Sequence, residues 1–256
     1  LKPAGTCLQL DVGNSGTKWR LLEEGQVTNR GVYRPGDDAA RAAMLDGTGR
    51  PQQVWVASVA GPEAEAALAQ MCRERWGVQP WFARSTARCG KVRNSYADPA
   101  RMGVDRWLAM LAAWQRVQGR VCVIDAGSAL TIDLLDDDGR HEGGYIIPGP
   151  TLMERALLLD TERVRFAEDV DYTLAPGSST AEAVRHGIAL AQAGALALAM
   201  DRAGVTPSRL LFCGGWGKTL MGLLDRGGEF LPELVFEGLA LLAAETDDQP
   251  QTGGPL

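Results

Sequence analysis

The segment LQLDVGNSGTKWRLLEEG at residues 8–25 returns without a gap as CVIDAGSALTIDLLDDDG at residues 122–139, a constant offset of 114. Asp11 falls on Asp125, Gly13 on Gly127, Thr17 on Thr131, Leu21 on Leu135 and Gly25 on Gly139. Each copy is an apolar run, a Gly-containing turn and a second apolar run, the pattern of two strands joined by a hairpin. A chain with such a repeat has to place two like hairpins in two like halves. Its 256 residues suffice for two cores of ordinary domain size, and the repeat predicts domains at 1–118 and 119–256.

Strands and helices alternate around the hairpins. Periodicity and turn residues predict strands at 7–12, 17–23 and 26–33, a buried strand VWVASVA at 54–60 and a helix from Pro62 to about Trp76. A strand near 79–83 and a helix from about 99 to 117 complete the first half. The second half opens with strands at 121–126 and 130–136, a turn at DDDG and a strand near 143–147. Helices follow at 150–158, 180–203 and 216–226, with RLLFCGG at 209–215 as a short buried strand between the last two. This order, repeated, predicts an α/β protein of two similar domains with a cleft between them. Residues 1–6 and 247–256 read as frayed ends.

Composition removes several function classes. A formal charge of −6 and a pI near 5.1, with no cluster of five basic residues, argue against nucleic acid as a partner. No window approaches 18 consecutive apolar residues and the N-terminus lacks a signal-peptide pattern, so the expectation is a soluble, cytoplasmic protein without a membrane partner. The five cysteines, Cys7, Cys72, Cys89, Cys122 and Cys213, are scattered and never spaced C-x-x-C, which predicts reduced, mostly buried thiols. With only His141 and His186 present, a His-rich metal site is impossible. Carboxylates are left to do any proton transfer.

The hairpin turns suit phosphate. Gly13 and Gly16 let backbone N–H groups approach an anion, and Asn14, Ser15 and Thr17 add amide and hydroxyl groups, with Lys18 just behind. Asp11 would repel phosphate alone, but can hold a hydrated Mg²⁺ that bridges to it. Asp125, Gly127, Ser128 and Thr131 repeat the arrangement as a second jaw. An ordinary Gly-rich hairpin is the plainer alternative for either copy alone. A third Gly-rich segment, CGGWGKT at 213–219, lies between a short strand and a helix. It is not a P-loop, because Phe212 stands where the first Gly of that motif has to be, five positions before Gly217.

These three segments, in this order, resemble the phosphate-1, phosphate-2 and adenosine motifs of the superfamily of acetate and sugar kinases, heat-shock chaperones and actin, whose fold is a duplicated ribonuclease H-like domain. Within it the chain is similar to the type III pantothenate kinase family. NSYADPARMGVDRWLAMLAAW at 94–114 resembles that family's Tyr, Pro and G-x-D-R-W segment, GGYIIPGPTLMERAL at 143–157 its GG-x-I-x-PG stretch, and SSTAEAV at 178–184 completes the set. Ser15 and Ser128 depart from the family's usual Thr but keep a hydroxyl. The resemblance implies ATP-dependent phosphorylation of pantothenate at the start of coenzyme A synthesis, with Mg²⁺, a monovalent cation (K⁺ or NH₄⁺) and a homodimer. The related Bvg accessory factors share the fold and are assigned a regulatory role, so a non-catalytic regulatory or binding protein is the alternative. A sugar or acetate kinase would lack reason for the Tyr96 to Trp107 segment.

Carried onto this chain, the resemblance assigns Asp11, Val12, Gly13, Asn14, Ser15, Gly16, Thr17, Lys18 and Ser128 to the nucleotide. It assigns Tyr96, Gly103, Val104, Asp105, Arg106 and Thr180 to pantothenate, Asp105 as the catalytic base and Asp125 to the monovalent cation. The residue types agree with these roles. Arg106 has the planar fork that pairs with a carboxylate such as pantothenate carries. Ser179 and Glu182 match a capping box, placing Thr180 in a first helical turn that favours an anion. Asp98 and Pro99 read as an N-cap and first position, which predicts Gly103 to Arg106 in the second turn of that helix. Trp107, Met110, Leu111 and Trp114 share a helical face, as core or dimer packing requires.

Overall fold

The structure is a computed structural model that describes residues 5–160, 164–203 and 209–247. Its contacts divide the chain into two compact units, Leu1–Ala112 with Leu234–Leu256, and Ala113–Glu233. The first opens with an antiparallel meander of β1 (Thr6–Val12), β2 (Thr17–Glu23) and β3 (Gln26–Tyr33). Helix α1 (Asp38–Gly47) leads to β4 (Gln53–Ser58), which pairs parallel to β1, and α2 (Pro62–Trp76) leads to β5 (Trp81–Phe82). A small hairpin of β6 (Arg88–Cys89) and β7 (Val92–Arg93) precedes α3 (Val104–Val117).

The second unit repeats the plan with β8 (Val121–Ala126), β9 (Ala129–Leu135) and β10 (His141–Pro148). Helices α4 (Pro150–Asp160) and α5 (Thr180–Arg202) follow, then β11 (Arg209–Cys213), α6 (Gly217–Leu224) and β12 (Glu229–Phe230). Among the described residues each unit holds a five-stranded sheet, in the orders β3-β2-β1-β4-β5 and β10-β9-β8-β11-β12. The two orders are the same, as the repeat predicts.

Burial explains the strand patterns. Cys7, Leu8, Gln9 and Leu10 of β1 are all fully buried, as befits a central strand with a parallel neighbour and both faces covered. Leu8 and Leu10 pack with Trp19, Met44 of α1, and Cys72 and Trp76 of α2. The opposite face carries Gln9 and Arg20. The Arg20 guanidinium donates to Gln9 Oε1 (2.7 Å) and lies 4.9 Å over the Phe236 ring. In the second unit Ile124, Ile132 and Phe212 pack against Leu196 and Met200 of α5 and Leu220 of α6. By length and composition α5 could cross a membrane, but its Ala193, Leu196, Ala199 and Met200 face is buried in this core.

Three expectations need correction. The last helix, α7 (Leu234–Asp247), belongs to the first unit, where it packs on β1 and β4, so the second unit ends at Glu233 and not at 256. A Cβ at Gly238 would lie 1.9 Å from Leu108 O, so α7 and α3 touch backbone to backbone. Neither α7 nor α1 was among the predicted elements. The single helix expected from 99 is broken: Pro99–Arg101 is a 3₁₀ turn and Met102 is extended. The Met102 carbonyl accepts from Ser85 Oγ (2.9 Å), a partner that stands in for a helical N–H.

Candidate active site

The turn after β1 reverses through Asn14 and Ser15, both exposed, and is closed by the Gly13 N–H donating to Gly16 O (3.0 Å). Only glycine fits at 16, because a Cβ there would lie 2.9 Å from Tyr33 O at the end of β3. Thr17 is buried. Asp11, at the strand end, stands directly across from Lys18. Directly opposed residues of an antiparallel pair point to the same face, so Asp11 and Lys18 share one.

The turn after β8 is shorter. Gly127 N–H donates to Ala129 O (2.9 Å), leaving Ser128 at the tip. Two other segments press their backbones against it. A Cβ at Gly149 would lie 2.4 Å from Gly127 O, and the Gly149 N–H donates to Ser128 O (2.9 Å). Gly214, in the left-handed region at φ +81°, brings its Cα so close that a Cβ would lie 2.4 Å from both Asp125 Oδ1 and Ala126 O. The Trp216 N–H completes the packing by donating to Ala126 O (2.8 Å) at the start of α6. The CGGWGKT segment is thus part of the second turn's wall, and Asp125 stands across from Thr131.

The Tyr96 to Arg106 segment forms a second constellation within the first unit. Asn94, not among the expected site residues, organises it. Its Oδ1 accepts from the Tyr96 N–H (2.9 Å), and its Nδ2 donates to Thr86 O and Pro99 O (3.3 and 3.4 Å). An Asn ahead of a turn is the sequence signal that could have found it. Arg106 is not a solvated surface residue: it is 5% exposed, and its guanidinium donates to the Tyr96 hydroxyl (2.9 Å). Asp105 lies in the first turn of α3, not the second, half-buried at the positive end of the helix. Its Oδ1 accepts from the Arg106 N–H (2.8 Å). A Cβ at Gly103 would lie 2.6 Å from that oxygen, so the G-x-D spacing keeps room for the carboxylate. Trp107, Met110, Leu111 and Trp114 are all buried.

Thr180 is exposed and opens α5, with Ser179 as the cap accepting from the Glu182 N–H (3.2 Å). The return half of the capping box is shifted: Glu182 accepts from the Ser178 N–H and hydroxyl (both 2.7 Å). These two donors hold the Glu182 carboxyl below its usual range. The five cysteines are buried and none is in a disulfide. Burial pushes Cys7, Cys89 and Cys122 up to about 12 and Cys72 to about 11, which keeps these four as thiols rather than nucleophiles. Among the described residues no three His, Cys, Asp or Glu side chains converge as metal ligands. Mg²⁺ bound through one carboxylate and substrate phosphates needs no such cage.

Residues 7–202 match the family model of type III pantothenate kinase. The chain is 38% identical over 236 residues to the type III pantothenate kinase of Hahella chejuensis, covering 92% of this chain and 96% of that protein. It is 36% identical over 243 residues to the enzyme of the same description from Pseudomonas aeruginosa, covering 91% and 97%. Among solved structures, a conserved Baf family protein from Campylobacter jejuni superposes with a TM-score of 0.62 at 21% identity, covering 94% of this chain and all of that one. Component A of (R)-2-hydroxyglutaryl-CoA dehydratase from Acidaminococcus fermentans gives 0.54 at 12% identity, covering 95% and 97%. At such identities these likenesses establish the fold alone, a duplicated ribonuclease H-like architecture.

Proposed function

The chain belongs to the type III pantothenate kinase family, and from that premise we propose how its residues carry the reaction. The activity is transfer of the ATP γ-phosphoryl group to the primary hydroxyl of pantothenate, giving 4′-phosphopantothenate at the first step of coenzyme A biosynthesis. The observation that carries the residue assignment is the Asn94–Tyr96–Arg106 framework, which holds a buried guanidinium one residue from an accessible carboxylate.

Asp105 accepts the hydroxyl proton as that oxygen attacks the γ-phosphorus, and the bond to the β–γ bridging oxygen breaks to release ADP. Arg106, with Tyr96, pairs with the pantothenate carboxylate. The turn from Asp11 to Lys18 is the phosphate-binding turn of the first unit, and Ser128 is the phosphate-binding residue of the second unit's turn. Asp11 fits a hydrated Mg²⁺, since it offers a hard oxygen at a strand end beside a Gly-rich turn; when bound, Mg²⁺ supplies neutralisation of phosphate charge. Asp125 fits K⁺ or NH₄⁺, since it offers a hard carboxylate oxygen at the end of β8 beside the Gly127–Ser128 turn. The protein is cytoplasmic and its working unit is a homodimer, with Thr180 of the partner subunit completing the pantothenate site.

A coupled ADP-release assay with ATP, Mg²⁺ and K⁺ tests the function, comparing pantothenate with glycerol, acetate and hexoses. Turnover with pantothenate alone is expected. A regulator on the same fold would give none. For the dimer, Asp105→Asn and Thr180→Arg chains, each nearly dead, should regain about a quarter of wild-type activity after subunit exchange. No recovery despite proven exchange would reject the shared site.

A further inference from the structure

Between Ile188 and Met200 the core helix α5 reads IALAQAGALALAM, and Gln192 is its one polar side chain. Gln192 is fully buried. A buried amide is costly unless its hydrogen bonds are made, and a Leu or Met would fill the same space without that cost. Its Nε2 donates to Pro148 O (2.7 Å), with Met153 Sδ a weaker second partner at 3.6 Å. Among the described residues its buried Oε1 has no hydrogen-bond partner. Its hydrogen bonding therefore rests mainly on the Pro148 carbonyl.

That bond ends on a peptide unit whose other side touches the second turn. The Pro148 carbonyl and the Gly149 N–H belong to one planar group and point in opposite directions. Gln192 holds the carbonyl, and Ser128 O accepts from the N–H (2.9 Å). Rotating this peptide would break both bonds together. The absent side chain at 149 lets the peptide lie flat on the turn, where a Cβ would be 2.4 Å from Gly127 O and 2.6 Å from Ser128 O.

We propose that Gln192 is a positioning residue for nucleotide binding, fixing the Gly127–Ser128 turn through the Pro148–Gly149 peptide; this rests on the reading of that turn as a phosphate site. Gln192→Met and Gln192→Leu keep apolar bulk and remove the donor. Both should weaken ADP binding measured by calorimetry, and raise the KM for ATP, by about five- to tenfold, while the KM for pantothenate stays within about twofold. The Gly149 amide should exchange its hydrogen faster in both. A role in packing alone would leave Met close to wild type, and unchanged nucleotide affinity with unchanged Gly149 exchange in both variants would overturn the proposal. So would an equal rise in both KM values. Gly127→Val, on the turn itself, separates the two readings. If it too leaves ADP binding intact, the turn is not a phosphate site; if it weakens binding while the Gln192 variants do not, only the positioning role fails.

Discussion

After β1 the chain reverses through Asn14 and Ser15; after β8 it reverses through Ser128 alone. The sequences on either side align without a gap, yet Thr17 stands across from Val12 whereas its match Thr131 stands across from Asp125. The pairing has slipped by one residue, and such a slip changes which side chains share a face. The cause lies at the position of Gly16, which Leu130 occupies in the second copy. Leu130 is fully buried, and its entry into the core starts the returning strand sooner. Asp11 consequently shares its face with a lysine and Asp125 with a hydroxyl. Equivalent residues in a duplicated chain thus have different cross-strand neighbours.

The largest effect is expected where the repeat has no counterpart. The offset of 114 carries Asp105 onto Thr219, so the proposed base has no carboxylate at the equivalent position of the second copy. Asp105→Asn should lower turnover by about 10² or more while nucleotide binding survives, and near-normal turnover in the purified variant would remove the assignment. Next comes the inequality of the two carboxylates. Wild-type rates in Na⁺ should fall at least about tenfold below those in K⁺ or NH₄⁺, and Asp125→Ala should lose that response. Equal wild-type rates in all three salts would break the comparison. The smallest effect is a transplant: Thr131→Lys puts an ammonium across from Asp125, as Lys18 stands across from Asp11, and should shrink the K⁺ to Na⁺ rate ratio about threefold. A ratio unchanged in a folded, nucleotide-binding variant would show that the register difference does not govern cation dependence.

Much of the fold was legible in the residues. The strands at 17–23 and 26–33 and the helix from Pro62 to Trp76 lie where periodicity and turn chemistry placed them. Pro62 opens that helix, and Gly77, at φ 72°, ends it. Helix α1 escaped because only Met44 of its ten residues is buried, leaving almost no apolar stripe to read. Helix α7 escaped for the opposite reason: LVFEGLALLAA is apolar on most sides, and its place against β1 and α3 is a long-range fact. The break before Asp105 depends on Ser85, a residue far from the Asp98–Pro99 signal, capturing the Met102 carbonyl.

The sequence by itself determined the duplication, the α/β class and the Gly-rich turns, because repeats, strand period and turn residues are local properties of the chain; the Tyr96 to Arg106 segment stood out through its family resemblance. Tertiary structure alone decided that the second hairpin closes one residue shorter, that Arg106 is buried against Tyr96, and that Gly149 and Gly214 brace the second turn. It also decided that Gln192 reaches Pro148. Each of these depends on which distant backbone comes within hydrogen-bond or van der Waals reach, a quantity set by core packing between elements and carried by no single stretch of sequence.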